Sequence, residues 1–329
     1  MILAQLRREI DEIDGEIIRL IGRRLMVARE IGEVKYKLNI PVVNHDREEE
    51  VLVRWVRELG KMGIEASSAF KIAKSIIEAT TKVQVKPRPN LKILIVGSGR
   101  VGKILNDILS TVAAVEVSDM KPADVERFNM VIMATKPSDE ALNYIRGISR
   151  RLRGRVLMDV FSVKSSVFKV IEEESLRGGF SYISIHPLFG NIPDPWGETI
   201  IVIPSRTGLG HLQAVVGMFE EAGLRPIVLE SPEEHDRLMA YVQASHHIAL
   251  LALYLLLRRV GVGPQSPLLT YSLKHTMRAI ERALEQIDVV EEIQLKNPYS
   301  PMARRDLEEA LKEVYRLIEE GRLREVAEV

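Results

Sequence analysis

The feature that most restricts the fold is a heptad seam through the first 38 residues. Leu3, Leu6, Ile10, Ile13, Ile17, Leu20, position 24, Val27, Ile31, Val34 and Leu38 alternate in steps of three and four, which keeps one face of a continuous helix apolar. At 1.5 Å per residue such a helix runs roughly 55 Å, longer than a domain of about 90 residues can cover. A second copy of the chain is therefore expected along the uncovered part. Position 24 is arginine. A guanidinium in an aliphatic seam must be paired, solvated or kept for an anion; as a purely structural device it would set the register of a dimerisation coil.

Pro41 breaks the seam, and Asn44 can cap a second helix reaching about Leu59, with Val51, Leu52, Trp55 and Leu59 inward. A third helix is expected from Ser67 or Ser68, with Ala73, Thr80 and Gln84 on one stripe. The prolines of KPRPN read as a linker at 87–90, which makes 1–86 an all-helical domain. At residue 91 the pattern changes. LKILIV is a continuous apolar run suited to a buried parallel strand, and VEVSD, MVIMAT, RVLMDV, YISIHP, ETIIVIP and RPIVLE follow with helix-like segments between the earlier runs. Residues 91–230 therefore read as a Rossmann-like, doubly wound α/β domain. Residues 231–329 read as long amphipathic helices.

Composition removes several classes of function. Lys and Arg number 46, as do Asp and Glu, so no net charge draws nucleic acid or an anionic membrane. With no cysteine there is no disulfide, thiolate nucleophile or iron–sulfur cluster. The seven histidines show no metal-ligand spacing, and no metal is expected. The apolar run Ile248–Leu257 is shorter than the ~20 residues that span a bilayer, and the charged start is unlike a signal peptide. A soluble, cytoplasmic chain without membrane or nucleic-acid partners is expected.

GSGRVG follows the first strand and opens a helix, so Gly97, Ser98, Gly99, Arg100, Val101 and Gly102 form a G-x-G-x-x-G turn. Its glycines let backbone N–H groups approach a pyrophosphate. Asp119 ends the next strand, where a carboxylate binds the ribose hydroxyls of NAD, with Lys121 nearby. Hydride transfer from an alcohol needs a proton acceptor. His186 of SIHPLFG sits where a strand ends, and an imidazole suits that task, although a lone histidine at a strand end is more often structural. Ser162 and Lys164 of DVFSVK add polar groups after another strand.

Taken together, GSGRVG, D-x-x-S-V-K at 159–164, HPLFG at 186–190, EHD at 234–236 and YVQASHH at 241–247 resemble the prephenate dehydrogenases. The resemblance implies NAD as cofactor and His186 as acceptor of the substrate hydroxyl proton, with Ser162 beside the same hydroxyl and Lys164 and His247 at the substrate. It implies a helical arginine for a substrate carboxylate, Arg282 or, one turn earlier, Arg278. It also implies that 231–329 is a dimerisation domain.

Residues 1–86 resemble the all-helical chorismate mutases through LRREIDEID, GRRL, IGEVKYKL, PVVNHDRE and IIEATTKVQ. That resemblance implies Arg7, Arg24 and Arg47 as clamps for substrate carboxylates and Lys35 and Gln84 at the breaking ether oxygen. Glu48 and Asn44 would meet the ring hydroxyl, and Thr80 supplies a further hydroxyl; Asn44 stands where the family often has aspartate. Product of the first reaction is substrate of the second. The two resemblances thus imply a fused enzyme of tyrosine biosynthesis, a homodimer acting on chorismate and prephenate. Two other readings are a dehydrogenase with a non-catalytic helical dimerisation module and a nicotinamide-sensing regulator. The balanced charge disfavours the regulator.

Overall fold

The computed structural model describes residues 2–38, 40–121, 124–190, 192 and 194–327, the side chain of His45 excepted. The seam forms one unbroken helix, α1 (Ile2–Leu38). It is followed by α2 (His45–Lys61), capped by the Asn44 side chain, and α3 (Ala66–Lys82). Helix α3 starts without a side-chain cap, earlier than either serine predicted. Gln84 lies in the turn after α3, where its Nε2 donates to Thr80 O at 3.0 Å and stays on the expected face.

A seven-stranded sheet follows: β1 (Arg88–Val96), β2 (Ala113–Ser118), β3 (Met130–Met133), β4 (Val156–Asp159), β5 (Ser181–Pro187), β6 (Thr199–Pro204) and β7 (Arg225–Val228). Its order is β2-β1-β3-β4-β5-β6-β7. The crossover helices are α4 (Arg100–Leu109), α5 (Asp139–Ile148), α6 (Phe168–Gly178) and α7 (Leu212–Glu221). Four consecutive residues of β1, Ile93 to Val96, are buried, so both faces of the sheet are covered, as a continuous apolar run requires. Pairing is parallel except between β5 and β6. The connection between them is too short and too rich in proline and glycine for a helical crossover, so the chain turns straight back.

The linker expected at 87–90 is largely strand. Arg88 N donates to Val112 O at 2.8 Å and pairs with Ala113. The register then shifts before Lys92, because Pro89 has no N–H for the ladder. The chain divides into two compact units, Met1–Val160 with Ser175–Val228, and Phe161–Glu174 with Leu229–Val329. In the first unit Lys82 pairs with Asp194 at 2.6 Å and lies over the Trp196 ring, and Arg88 pairs with Glu221.

The second unit contains a continuous helix, Pro232–Arg259, made of α8 (Pro232–Met239), a π-helical turn at Ala240–Ala244 and α9 (Ser245–Arg259). Helices α10 (Tyr271–Glu285), α11 (Ile287–Lys296) and α12 (Ser300–Glu319) follow. Among the described residues Pro232–Arg259 is the one helix long and apolar enough to cross a membrane by length and composition; the unbroken apolar run considered in the sequence is only part of it. Leu250, Leu253 and Leu257 on this helix pack with Leu269, Met277 and Ile280 in the core of the unit.

Gly32 governs the packing of α1. A Cβ there would lie 2.5 Å from Gln84 O, whereas at Gly15, on the outer side of the seam, it would meet nothing within 4 Å. Gly32→Ala should destabilise the helices by about 1–3 kcal/mol, as overpacking does. Gly15→Ala should stabilise them by up to about 1 kcal/mol through helix propensity. Urea midpoints followed by circular dichroism check both signs.

Candidate active sites

In the helical part the guanidinium of Arg24 is paired. Nη1 donates to Ile76 O at 3.1 Å and to the Thr80 hydroxyl. Thr80 in turn donates to the carbonyls of Ile76 and Ile77 at 2.8 Å. Burial, then the nearby Arg54, lowers the Arg24 pKa, though an arginine stays charged. Lys35 Nζ donates to Val42 O at 2.6 Å. Burial pulls the Lys35 pKa down, and the Glu48 carboxylate partly restores it. Glu48 Oε1 accepts from Thr81 Oγ1 at 2.9 Å, a partner that helical periodicity did not single out. Gln84 Oε1 is buried with no hydrogen-bond partner.

These contacts gather Arg24, Lys35, Glu48, Thr80 and Gln84 around the C-terminal half of α1. Arg47 and Arg7 are not among them. Arg47 is exposed and pairs with Glu50 at 2.8 Å, while its backbone N–H is capped by Asn44 at 2.9 Å. Arg7 is exposed near the opposite end of α1.

In the sheet, Gly97 has φ of 121° and its absent Cβ would strike Ala134 O at 2.5 Å; a Cβ at Gly102 would strike Gly97 O. These two glycines bring loop, helix and β3 into close contact. Gly99 differs, because a Cβ there would meet nothing within 4 Å, and it precedes α4 without a side-chain cap. The open approach at Gly99 fits a dinucleotide pyrophosphate. Ser98 Oγ donates to Asp119 Oδ1 at 2.9 Å, joining the loop to the end of β2. Thr135, just after β3, has a buried Oγ1 with no partner beside Gly97. No motif marks it in the sequence; its position at a strand end is the one signal there.

His186 is 6 % exposed, near the end of β5 and opposite Ile201 of β6. Ser184 shares its face of the strand and has a buried, unpartnered Oγ. Asp159 ends β4 and accepts from Tyr182 OH at 2.6 Å.

The second unit holds Ser162, Lys164, His247 and Arg282. Lys164 is fully buried. Arg278 and Arg282 lie one turn apart on α10, both exposed. Across the π-helical turn Ser245 Oγ donates to Ala240 O at 3.2 Å. Gln243 Oε1 and His247 Nδ1 are both buried without a hydrogen-bond partner, and four residues apart they occupy neighbouring turns. Gln243 lies inside YVQASHH, where only His247 is marked by the resemblance. Described residues hold no cluster of metal-ligating side chains.

A family profile described as chorismate mutase type II matches residues 6–85. The chorismate mutase of Methanocaldococcus jannaschii is 35% identical over 83 residues, which cover 83% of that protein and 25% of this chain. The chain belongs to the chorismate mutase family. The chain is also similar to the T-protein of Enterobacter agglomerans, 23% identical over 263 residues that cover 76% of this chain and 69% of the relative. Among solved structures, prephenate dehydrogenase from A. aeolicus in complex with hydroxyphenyl propionate and NAD+ shares its fold. The TM-score is 0.54 at 21% identity, over 74% of this chain and 96% of that one.

Burial, then the neighbouring His246, holds the His247 imidazole below its ordinary pKa. As pH falls below about 6.5, the unfolded chain takes up a proton that the folded chain does not. Stability should therefore decline with pH from there down to the folded-state value. In His247→Gln the decline should be shallower in thermal midpoints measured across that range. A slope equal to wild type would show that His247 titrates like an exposed histidine.

Proposed function

We propose that this chain catalyses two consecutive reactions: rearrangement of chorismate to prephenate, then NAD-dependent oxidative decarboxylation of prephenate to 4-hydroxyphenylpyruvate. The observation that carries the reading is the paired Arg24 beside Lys35, Glu48 and Gln84, on a chain whose glycine loop stays open at Gly99.

The first reaction is pericyclic and needs no general acid or nucleophile, only confinement and charge stabilisation. Arg7, Arg24 and Arg47 hold carboxylates, Lys35 and Gln84 donate to the ether oxygen as its bond breaks, and Glu48 and Asn44 meet the ring hydroxyl, while the Thr80 hydroxyl holds the Arg24 guanidinium in place. In the second reaction bound NAD supplies the hydride acceptor. His186 takes the proton from the substrate hydroxyl and Ser162 hydrogen-bonds the same oxygen. Arg282, Lys164 and His247 hold the substrate. Carbon dioxide leaves as the ring becomes aromatic. Gly97 to Gly102 receive the pyrophosphate and Asp119 the ribose. A cytoplasmic location belongs to the same proposal.

Chorismate alone should be consumed without NAD, and adding NAD should then produce NADH. His186→Asn should lower the dehydrogenase kcat by ~10² or more, the usual loss of a general base, while chorismate consumption is unchanged. Equal loss of both activities would remove His186 from this role.

A homodimer with shared mutase sites completes the proposal. Leu3, Leu6, Ile10, Ile13, Ile17 and Leu20 are each 46–62 % exposed along α1. Twenty-eight residues separate Arg7 from Lys35 on that helix, roughly 42 Å at 1.5 Å per residue. One small substrate cannot meet both in one chain; with both in the site, as the family resemblance implies, each site joins Lys35 of one protomer to Arg7 of its partner. Arg7→Ala and Lys35→Ala homodimers should both be nearly inactive as mutases. Refolded together in equal amounts with random pairing, about half the dimers are mixed, each with one intact site, and roughly a quarter of wild-type activity should return. A mixture that exchanges chains yet stays inactive would overturn the shared site.

A further inference from the structure

A carboxylate away from solvent is stable only where donors surround it. Asp236 on α8 is fully buried. Its Oδ1 lies 2.9 Å and its Oδ2 3.2 Å from Lys164 N, and Oδ2 also accepts from Ser165 N at 2.8 Å and from the Ser165 hydroxyl. His235 Nδ1 lies 2.8 Å from Oδ1, and the Asp236 carbonyl accepts from Asn297 Nδ2 at 2.7 Å. Burial works against the charge, but the hydrogen bonds from His235, Ser165 and the two backbone N–H groups outweigh it and hold the carboxyl below its usual range. Two successive backbone donors on one carboxylate fix the local chain direction, because neither can rotate without breaking a charge-assisted bond. The fixed backbone begins two residues after Ser162 and includes Lys164. Residues Phe161–Glu174 group with the C-terminal helices rather than with the sheet that delivers them, and Asp236 is the anchor that explains why.

We propose that Asp236, backed by His235, is a positioning residue for the dehydrogenase reaction, holding the Ser162–Lys164 turn in the conformation that presents Ser162 to substrate. This rests on the dehydrogenase reading above. Asparagine at 236 turns one acceptor into a donor, which must face either the backbone N–H groups or His235. Facing those N–H groups, the new donor releases the turn without loss of side-chain volume.

The test is a double-mutant cycle on the full chain. Asp236→Asn should lower the dehydrogenase kcat by about 10²-fold, the scale of a misplacement near 1 Å, with KM for NAD unchanged. In the Ser162→Ala background the same change should cost about tenfold less, since the residue acts through Ser162. Equal losses in both backgrounds would reduce Asp236 to a general structural role and overturn the proposal. Hydrogen exchange gives an arm independent of activity: the amides of Lys164 and Ser165 should lose protection in Asp236→Asn while α10 keeps its own. Unchanged protection at those amides overturns the proposal even if activity falls. If Asp236→Asn also unprotects α10, Ser165→Ala, which removes one donor and keeps the charge, takes its place in the cycle with the same expected sign. Chorismate consumption on the same chain reports folding of the first unit. A wild-type chain that makes prephenate but never NADH would sink the dehydrogenase reading alone, leaving the exchange result to decide whether Asp236 holds the turn.

Discussion

A cation placed in an aliphatic helix face is tolerable only if its protons are accepted nearby, and much of the first unit follows from how Arg24 meets that demand. Its acceptors, Ile76 O and the Thr80 hydroxyl, both belong to α3. Helix α3 must therefore lie against α1 at one axial position. The same register brings Gly32 against the backbone of Gln84, where no side chain larger than hydrogen fits. Lys35, one turn on, then reaches Val42 O and the field of Glu48. Polar groups rather than apolar bulk set the alignment, since an aliphatic stripe alone slides with little penalty.

Much of this was legible in the sequence because the signals are local. The Asn44 cap and the seven strand segments are each written within a dozen residues, and the α1 seam repeats every seven, so periodicity or an apolar run is enough to show each. What escaped was non-local. A strand's composition does not state its direction, so the reversal at β6 could be read only from the connection before it, with Pro193, Pro195 and Gly197 and no helical pattern. The prolines at 87 and 89 suggested a linker, yet a strand can begin through them where the ladder skips a donor. Thr81 was passed over for Thr80 because they are adjacent, and only the packing of α2 shows that each has its own partner.

The candidate residues show the same division. Gly97, Gly99 and Gly102 were identified by spacing, but their separate duties depend on contacts no motif spells out: two close the loop on its neighbours and one leaves it open. Thr135, Ser184 and Gln243 were missed because single hydroxyls and amides have no periodicity; what distinguishes them is a buried polar atom without a partner. Asp236 was noted only as part of EHD. Its importance comes from contacts about seventy residues back along the chain.

The π-helical turn at Ala240–Ala244 has a consequence for how this region can change over time. Such a turn holds one residue more than its α-helical equivalent, so everything after it is rotated by about 100° about the axis relative to everything before. One helix thereby serves two masters: Asp236 faces the 161–174 segment, while Leu250, Leu253 and Leu257 face α10. Most substitutions in this helix alter one side chain. Loss of a single residue within the turn would swing one whole group of contacts away from its partners. Lineages descending from this chain should therefore keep the spacing between Asp236 and Leu250 even where the letters between them drift.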